Sequence, residues 1–104
     1  MKKISLLGAT GSIGRQTMEV VRENRDQFEV VAFSSGSNIE LTKKYINEFS
    51  PALVSVKEKQ DCEALRAEFP STKFSYGDDG LVEVAVYPES SIVLNAVIGS
   101  VGLY

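Results

Sequence analysis

The chain has 104 residues, with 11 Lys and Arg against 14 Asp and Glu and 43% hydrophobic residues, which describes one folded domain able to bury a single core but not two. A net charge of −3 argues against nucleic-acid or anionic-membrane partners, both of which select for clustered Lys and Arg. The absence of His removes imidazole bases, Ser-His and Cys-His nucleophiles and His-ligated metals, and the single cysteine, Cys62, excludes internal disulfides, zinc ribbons and C-x-x-C redox chemistry.

Nothing in the cysteine usage points to an oxidising compartment, so a cytoplasmic setting is expected. Met1-Lys2-Lys3 is followed by an apolar run over residues 4–7 only, too short for a signal peptide or a membrane span. That run, closed by Gly8, predicts a first buried strand. From Ser12 the pattern changes to helical spacing, with Ile13, Thr17, Val20 and Val21 as the expected apolar face and charged residues elsewhere on the wheel. Residues 28–33 (FEVVAF) predict a second, β-branched-rich strand after the Asn24-Arg25-Asp26 turn.

Ser37-Asn38-Ile39-Glu40 fits a capping box, so a second helix is expected to start there with Ser37 as its cap, an apolar stripe of Leu41, Tyr45, Ile46 and Phe49, and a stop at Pro51. Residues 53–56 form a short third strand, Cys62, Leu65 and Phe69 mark a third helix ended by Pro70, and residues 73–76 form a small edge strand. A further short helix is expected over residues 81–86, before Pro88, although Gly80 and the valines disfavour it. Residues 92–98 (IVLNAVI) read as a strand covered on both faces. Asp78, Asp79, Glu83 and Glu89 follow the last basic residue, Lys73, and read as a solvated acidic surface rather than a metal site.

Strands alternating with helices require right-handed crossovers and predict an α/β, Rossmann-like doubly wound fold: a mainly parallel sheet with helices on both faces. Strands three, two and one should lie side by side, with the strand of residues 92–98 next to strand one.

The motif that carries chemistry is Gly8-Ala9-Thr10-Gly11-Ser12-Ile13-Gly14, a G-x-x-G-x-x-G loop between the first strand and first helix. Gly8 allows a tight turn, Gly11 admits a pyrophosphate without a Cβ in its way, and Gly14 permits close helix-strand contact. The unpaired N–H groups of Ser12 and Ile13 would face the phosphates at the positive end of the helix. The other reading of the loop is a structural turn with Ser12 as helix cap. Arg15 and Gln16 follow Gly14 where a Walker A loop needs Lys and Ser or Thr, and Gly8 and Ala9 stand where a receiver domain needs acids.

Strand two ends in Ser34, Ser35, Gly36, Ser37 and Asn38, without the Asp or Glu that hydrogen-bonds a ribose 2′-hydroxyl and repels a 2′-phosphate. That favours NADP over NAD, while simple capping remains the alternative use of Ser37 and Asn38.

GATGSIGRQT, FEVVAFSSGSNIELTKKYINEFSP and NAVIGSVGL together resemble the N-terminal portion of the 1-deoxy-D-xylulose 5-phosphate reductoisomerase family, over essentially the whole chain. The resemblance implies that residues 1–104 are an NADPH-binding domain of a longer enzyme, which isomerises and reduces its sugar-phosphate substrate with NADPH and a divalent metal, Mg or Mn, in non-mevalonate isoprenoid synthesis. It implies cofactor contacts at Thr10, Gly11, Ser12 and Ile13, at Gly36, Ser37 and Asn38 near the adenosine phosphate, and at Ala96 and Val97 towards the nicotinamide. It further implies a cytoplasmic homodimer, with the metal ligands and catalytic residues beyond Tyr104; no residue up to Tyr104 is assigned a catalytic or metal-binding role, and the chain alone is expected to be inactive. One departure is Ser37, where many members carry Lys or Arg. Semialdehyde and related acyl-phosphate reductases, which share a G-A-T-G-x-x-G loop, are the enzyme alternative, and a stand-alone nucleotide-sensing module is another; Cys62 supports neither, since it belongs to a core stripe.

Overall fold

The computed structural model of the chain describes residues 2–36 and 38–96. Five strands and four helices alternate: β1 (Lys2–Leu7), α1 (Ser12–Glu23), β2 (Phe28–Ser34), α2 (Ile39–Phe49), β3 (Leu53–Val56), α3 (Lys59–Glu68), β4 (Lys73–Tyr76), α4 (Gly77–Ala85) and β5 (Ile92–Asn95). The sheet order is β4-β3-β2-β1-β5 and every pairing is parallel, as the doubly wound expectation requires.

The alternation of side chains along the strands sorts the helices onto two faces. Ile4 and Leu6 of β1, Val30 and Phe33 of β2 and Val54 and Val56 of β3 pack with Met18, Tyr45, Ile46, Phe49, Cys62 and Leu65, which puts α1, α2 and α3 on one face. Ala32 and Leu53 point the other way, against Val84 of α4. The register slips between Ile4 and Ser5, where Ile4 pairs with Val30 but Ser5 with Ala32, so Val31 is the extra residue that lets Val30 and Phe33 share a face. The chain steps outward from β1 to β4 with its helices on one side and then returns past β1 to β5. A right-handed crossover run in the reverse direction must lie on the opposite face, and α4 does.

Four details differ from the expectations. The buried positions of α1 are Gly14, Met18 and Val21, whereas Ile13 and Val20 are about half exposed. The helix is rolled by Gly14: a Cβ there would lie 1.9 Å from the Gly8 carbonyl oxygen and 2.7 Å from the Ala9 Cα, so the glycine itself is the point of closest approach. Met18, one turn on, then follows it inward. The cap of α2 is Asn38, not Ser37, which lies outside the described residues; the Asn38 Oδ1 accepts the N–H of Leu41 at 3.2 Å.

The last helix begins four residues earlier than expected and is packed through Gly80 rather than broken by it, since a Cβ on Gly80 would come within 2.1 Å of the Ser55 Oγ. The fourth difference is β5, which among the described residues is bonded only to β1 and leaves Val93 and Leu94 47% and 37% exposed; residues 97 and 98 of the expected strand lie outside the described residues.

Cys62 is fully buried, and burial pushes its thiol pKa up, consistent with a core residue. Arg22 and Arg25 near the end of α1 pair with Glu48 of α2, and the hydrogen bond from Arg22 holds the Glu48 carboxyl below its ordinary range.

The Gly14 contact predicts a large asymmetry between two glycines of one loop. Gly14→Ala should cost about 3 kcal/mol, the upper end of overpacking, because the obstruction is backbone and not a flexible side chain. Gly11→Ala, whose added Cβ meets nothing nearer than 3.7 Å, should stay within about 0.5 kcal/mol of the parent. Denaturant midpoints measure both, and equal midpoints would show that the loop is not the point of contact.

Candidate functional site

In a parallel sheet all strands end on the same edge, and here those ends surround a crevice of about 810 Å³. Gly8 follows β1, Ser35 and Gly36 follow β2, Lys57 follows β3, Gly77 follows β4 and Ala96 follows β5; all of them border it. The crevice therefore opens where the winding reverses, the usual ligand position of an open α/β sheet.

The loop from β1 to α1 is built for close approach. Gly8 has φ +83°, in the left-handed region that glycine occupies without strain. Its N–H donates to the Ser34 Oγ at 2.8 Å, and the N–H of Ala9 donates to the Ser34 carbonyl at 2.8 Å, which pins the loop to the end of β2. Gly11 is the N-cap of α1 and offers no side chain to its first turn. Ser12 is already inside the helix, so the reading in which it caps α1 is not realised. The first turn of α1 thus presents its backbone N–H groups to the crevice with no side-chain acceptor taking them, at the positive end of the helix dipole.

The second wall is the loop after β2. The N–H of Gly36 donates to the Thr10 Oγ1 at 3.1 Å, so Thr10 joins the two loops as well as bordering the crevice. The N–H of Ser35 donates to the Ser55 carbonyl at 2.8 Å, while the Ser35 hydroxyl is buried without a hydrogen-bond partner among the described residues. Asn38 borders the crevice and caps α2; its carbonyl accepts the N–H of Thr42 at 3.1 Å and the Thr42 hydroxyl at 2.8 Å. On the far side, the N–H of Ala96 donates to the Leu7 carbonyl at 2.8 Å and fixes the end of β5 beside β1.

Of the positions singled out from the sequence, Thr10, Gly11, Ser12, Ile13, Gly36, Asn38 and Ala96 meet at this one crevice. Ser37 and Val97 lie outside the described residues. The sequence reasoning missed Lys57 and placed Asp78 on a solvated acidic surface, and both border the crevice. Lys57 and Asp78 are its only charged lining residues among those described, and no local motif marks them, because they arrive from β3 and from the start of α4.

A family model described as 1-deoxy-D-xylulose 5-phosphate reductoisomerase matches residues 4–104. Over 103 residues the chain is 56% identical to the 1-deoxy-D-xylulose 5-phosphate reductoisomerase of Bacillus cereus (strain Q1), covering 99% of this chain and 27% of that protein. It is 54% identical to that of Lysinibacillus sphaericus (strain C3-41), with the same coverage. Among solved structures, a DOX-P reductoisomerase in complex with NADPH, fosmidomycin and magnesium superposes with a TM-score of 0.87 at 25% identity, covering 93% of this chain and 24% of that one. The chain spans about a quarter of the length of the proteins it matches. With the family model matching nearly its whole length, the chain belongs to the 1-deoxy-D-xylulose 5-phosphate reductoisomerase family.

Proposed function

We propose that the crevice binds NADPH and that residues 1–104 are the cofactor-binding part of an enzyme converting 1-deoxy-D-xylulose 5-phosphate to 2-C-methyl-D-erythritol 4-phosphate with a divalent metal. The observation that carries this is the open first turn of α1, which faces the crevice with its amides uncapped and with Gly11 leaving the approach clear. A pyrophosphate fits that feature because it supplies the anionic acceptors that Gly11 lacks. The amides of Ser12 and Ile13 would hold it, and Thr10 would fix the facing loop through Gly36. Gly36, Ser37 and Asn38 would receive the adenosine phosphate, and Ala96 and Val97 would border the nicotinamide at the β5 end.

When bound, NADPH supplies a hydride to the substrate. The residues of this chain contribute binding and orientation, which fix the cofactor's reactive face without moving a proton. The described residues bring no three of His, Cys, Asp and Glu together, so they hold no metal-binding cluster of their own. Those ligands and the substrate anchors are assigned to other parts of the enzyme, which as a whole is a homodimer in a cytoplasmic setting. The family match favours neither the acyl-phosphate reductase nor the stand-alone sensing module.

The first consequence is a cofactor preference: calorimetric titration of the intact protein should give tighter binding of NADPH than of NADH, since no carboxylate closes β2 against a 2′-phosphate. Tighter binding of NADH would reject the assignment. The second is that Gly11→Val should weaken NADPH by at least roughly tenfold while leaving the circular dichroism spectrum and melting temperature near those of the parent, because φ at Gly11 is −79° and the added bulk enters the crevice rather than the core. A variant that folds and binds NADPH normally would remove the glycine loop from the site.

A further inference from the structure

We infer that Lys57, at the end of β3, supplies the cation that pairs with the 2′-phosphate and thereby sets the preference for NADPH, an inference that rests on the NADPH site proposed above. A 2′-phosphate carries between one and two negative charges near neutral pH, and a protein of net charge −3 must meet it with a local cation. Ser34, Ser35, Gly36, Ser37 and Asn38 contain none.

The strand register brings one across. Ala32 pairs with Leu53, Phe33 with Val54 and Ser34 with Ser55, and the Ser35 N–H still donates to the Ser55 carbonyl. Continued by two residues, that register sets Lys57 opposite Gly36, at the roughly 5 Å spacing of neighbouring strands. The flexible four-carbon stem of lysine can then carry its ammonium to a phosphate held by the Gly36 and Asn38 loop.

The availability of Lys57 agrees with this. It is exposed, borders the crevice, and makes neither an ion pair nor a hydrogen bond among the described residues. Among the described residues it is the only cation that lines the crevice; of the others, Lys3 pairs with Glu89, Arg22 and Arg25 with Glu48, Lys43 with Glu68, and Arg66 donates to the Phe74 carbonyl at 3.1 Å. Asp78, the one carboxylate of the lining, stands at the start of α4 beyond β4. In the order β4-β3-β2, Lys57 lies between it and the Gly36 loop and offsets its repulsion of a phosphate.

The test compares NADPH and NADH affinities of the intact protein with those of its Lys57→Gln and Lys57→Arg variants, after confirming an unchanged melting temperature. Lys57→Gln should weaken NADPH roughly tenfold and change NADH by less than about twofold, because only NADPH carries the extra phosphate; Lys57→Arg should retain the preference. Added salt should weaken NADPH binding less in Lys57→Gln than in the parent. Equal effects on both cofactors, or none on either, would overturn the role of Lys57 while leaving NADPH binding intact. A parent protein that prefers NADH would overturn both it and the cofactor assignment.

Discussion

The place where α1 meets the end of β1 governs most of this molecule. A Cβ on Gly14 would lie 1.9 Å from the Gly8 carbonyl oxygen, so the helix can approach its strand this closely only because both positions are glycine: Gly8 to turn at φ +83° and Gly14 to leave room. That approach rolls Gly14, Met18 and Val21 inward and leaves Ile13 at the rim of the crevice. It also aims the uncapped start of the helix along the edge of the sheet, where free amides and a positive dipole end favour an anion. Packing and the proposed binding thus share one short segment, but different glycines serve them: Gly14 carries the packing and Gly11 leaves the approach open.

The winding reversal supplies the rest of the site. Three crossovers place α1, α2 and α3 on one face, the return to β5 places α4 on the other, and among the described residues the strand ends between them border the open crevice. The walls of that gap are tied by a few directed bonds: Gly8 to the Ser34 hydroxyl, Gly36 to the Thr10 hydroxyl and Ser35 to the Ser55 carbonyl. They hold the β2 and β3 ends in register, so a residue that is distant in sequence, Lys57, comes to line the same crevice as Gly36.

Much of this was legible in the sequence, for physical reasons. Alternating apolar runs and helical stripes, punctuated by glycine and proline, marked every strand and helix, and parallel crossovers then dictated the neighbours of β1. Crevice-lining residues in contiguous motifs, such as Gly11 and Gly36, were legible too. Lys57 was not, because its place at the crevice depends on inter-strand register rather than on a local pattern. On α1, Val21 faces inward as expected but Ile13 and Val20 do not, because a count of apolar side chains gives no weight to glycine, whereas Gly14 is where the helix packs closest to its strand. For the IVLNAVI run, apolar composition reports that a surface is suited to cover, and among the described residues Val93 and Leu94 have little.

The central claim is that the uncapped start of α1 is the anion-holding part of a dinucleotide site. It is tested most directly by the backbone amide NMR spectrum of the protein during titration with NADPH. The amides of Gly11, Ser12 and Ile13 should move together, saturate with the same affinity and be accompanied by that of Gly36 across the crevice. If NADPH binds while those amides stay in place and the shifts gather elsewhere, the α1 start is not where the cofactor is held and the account is wrong.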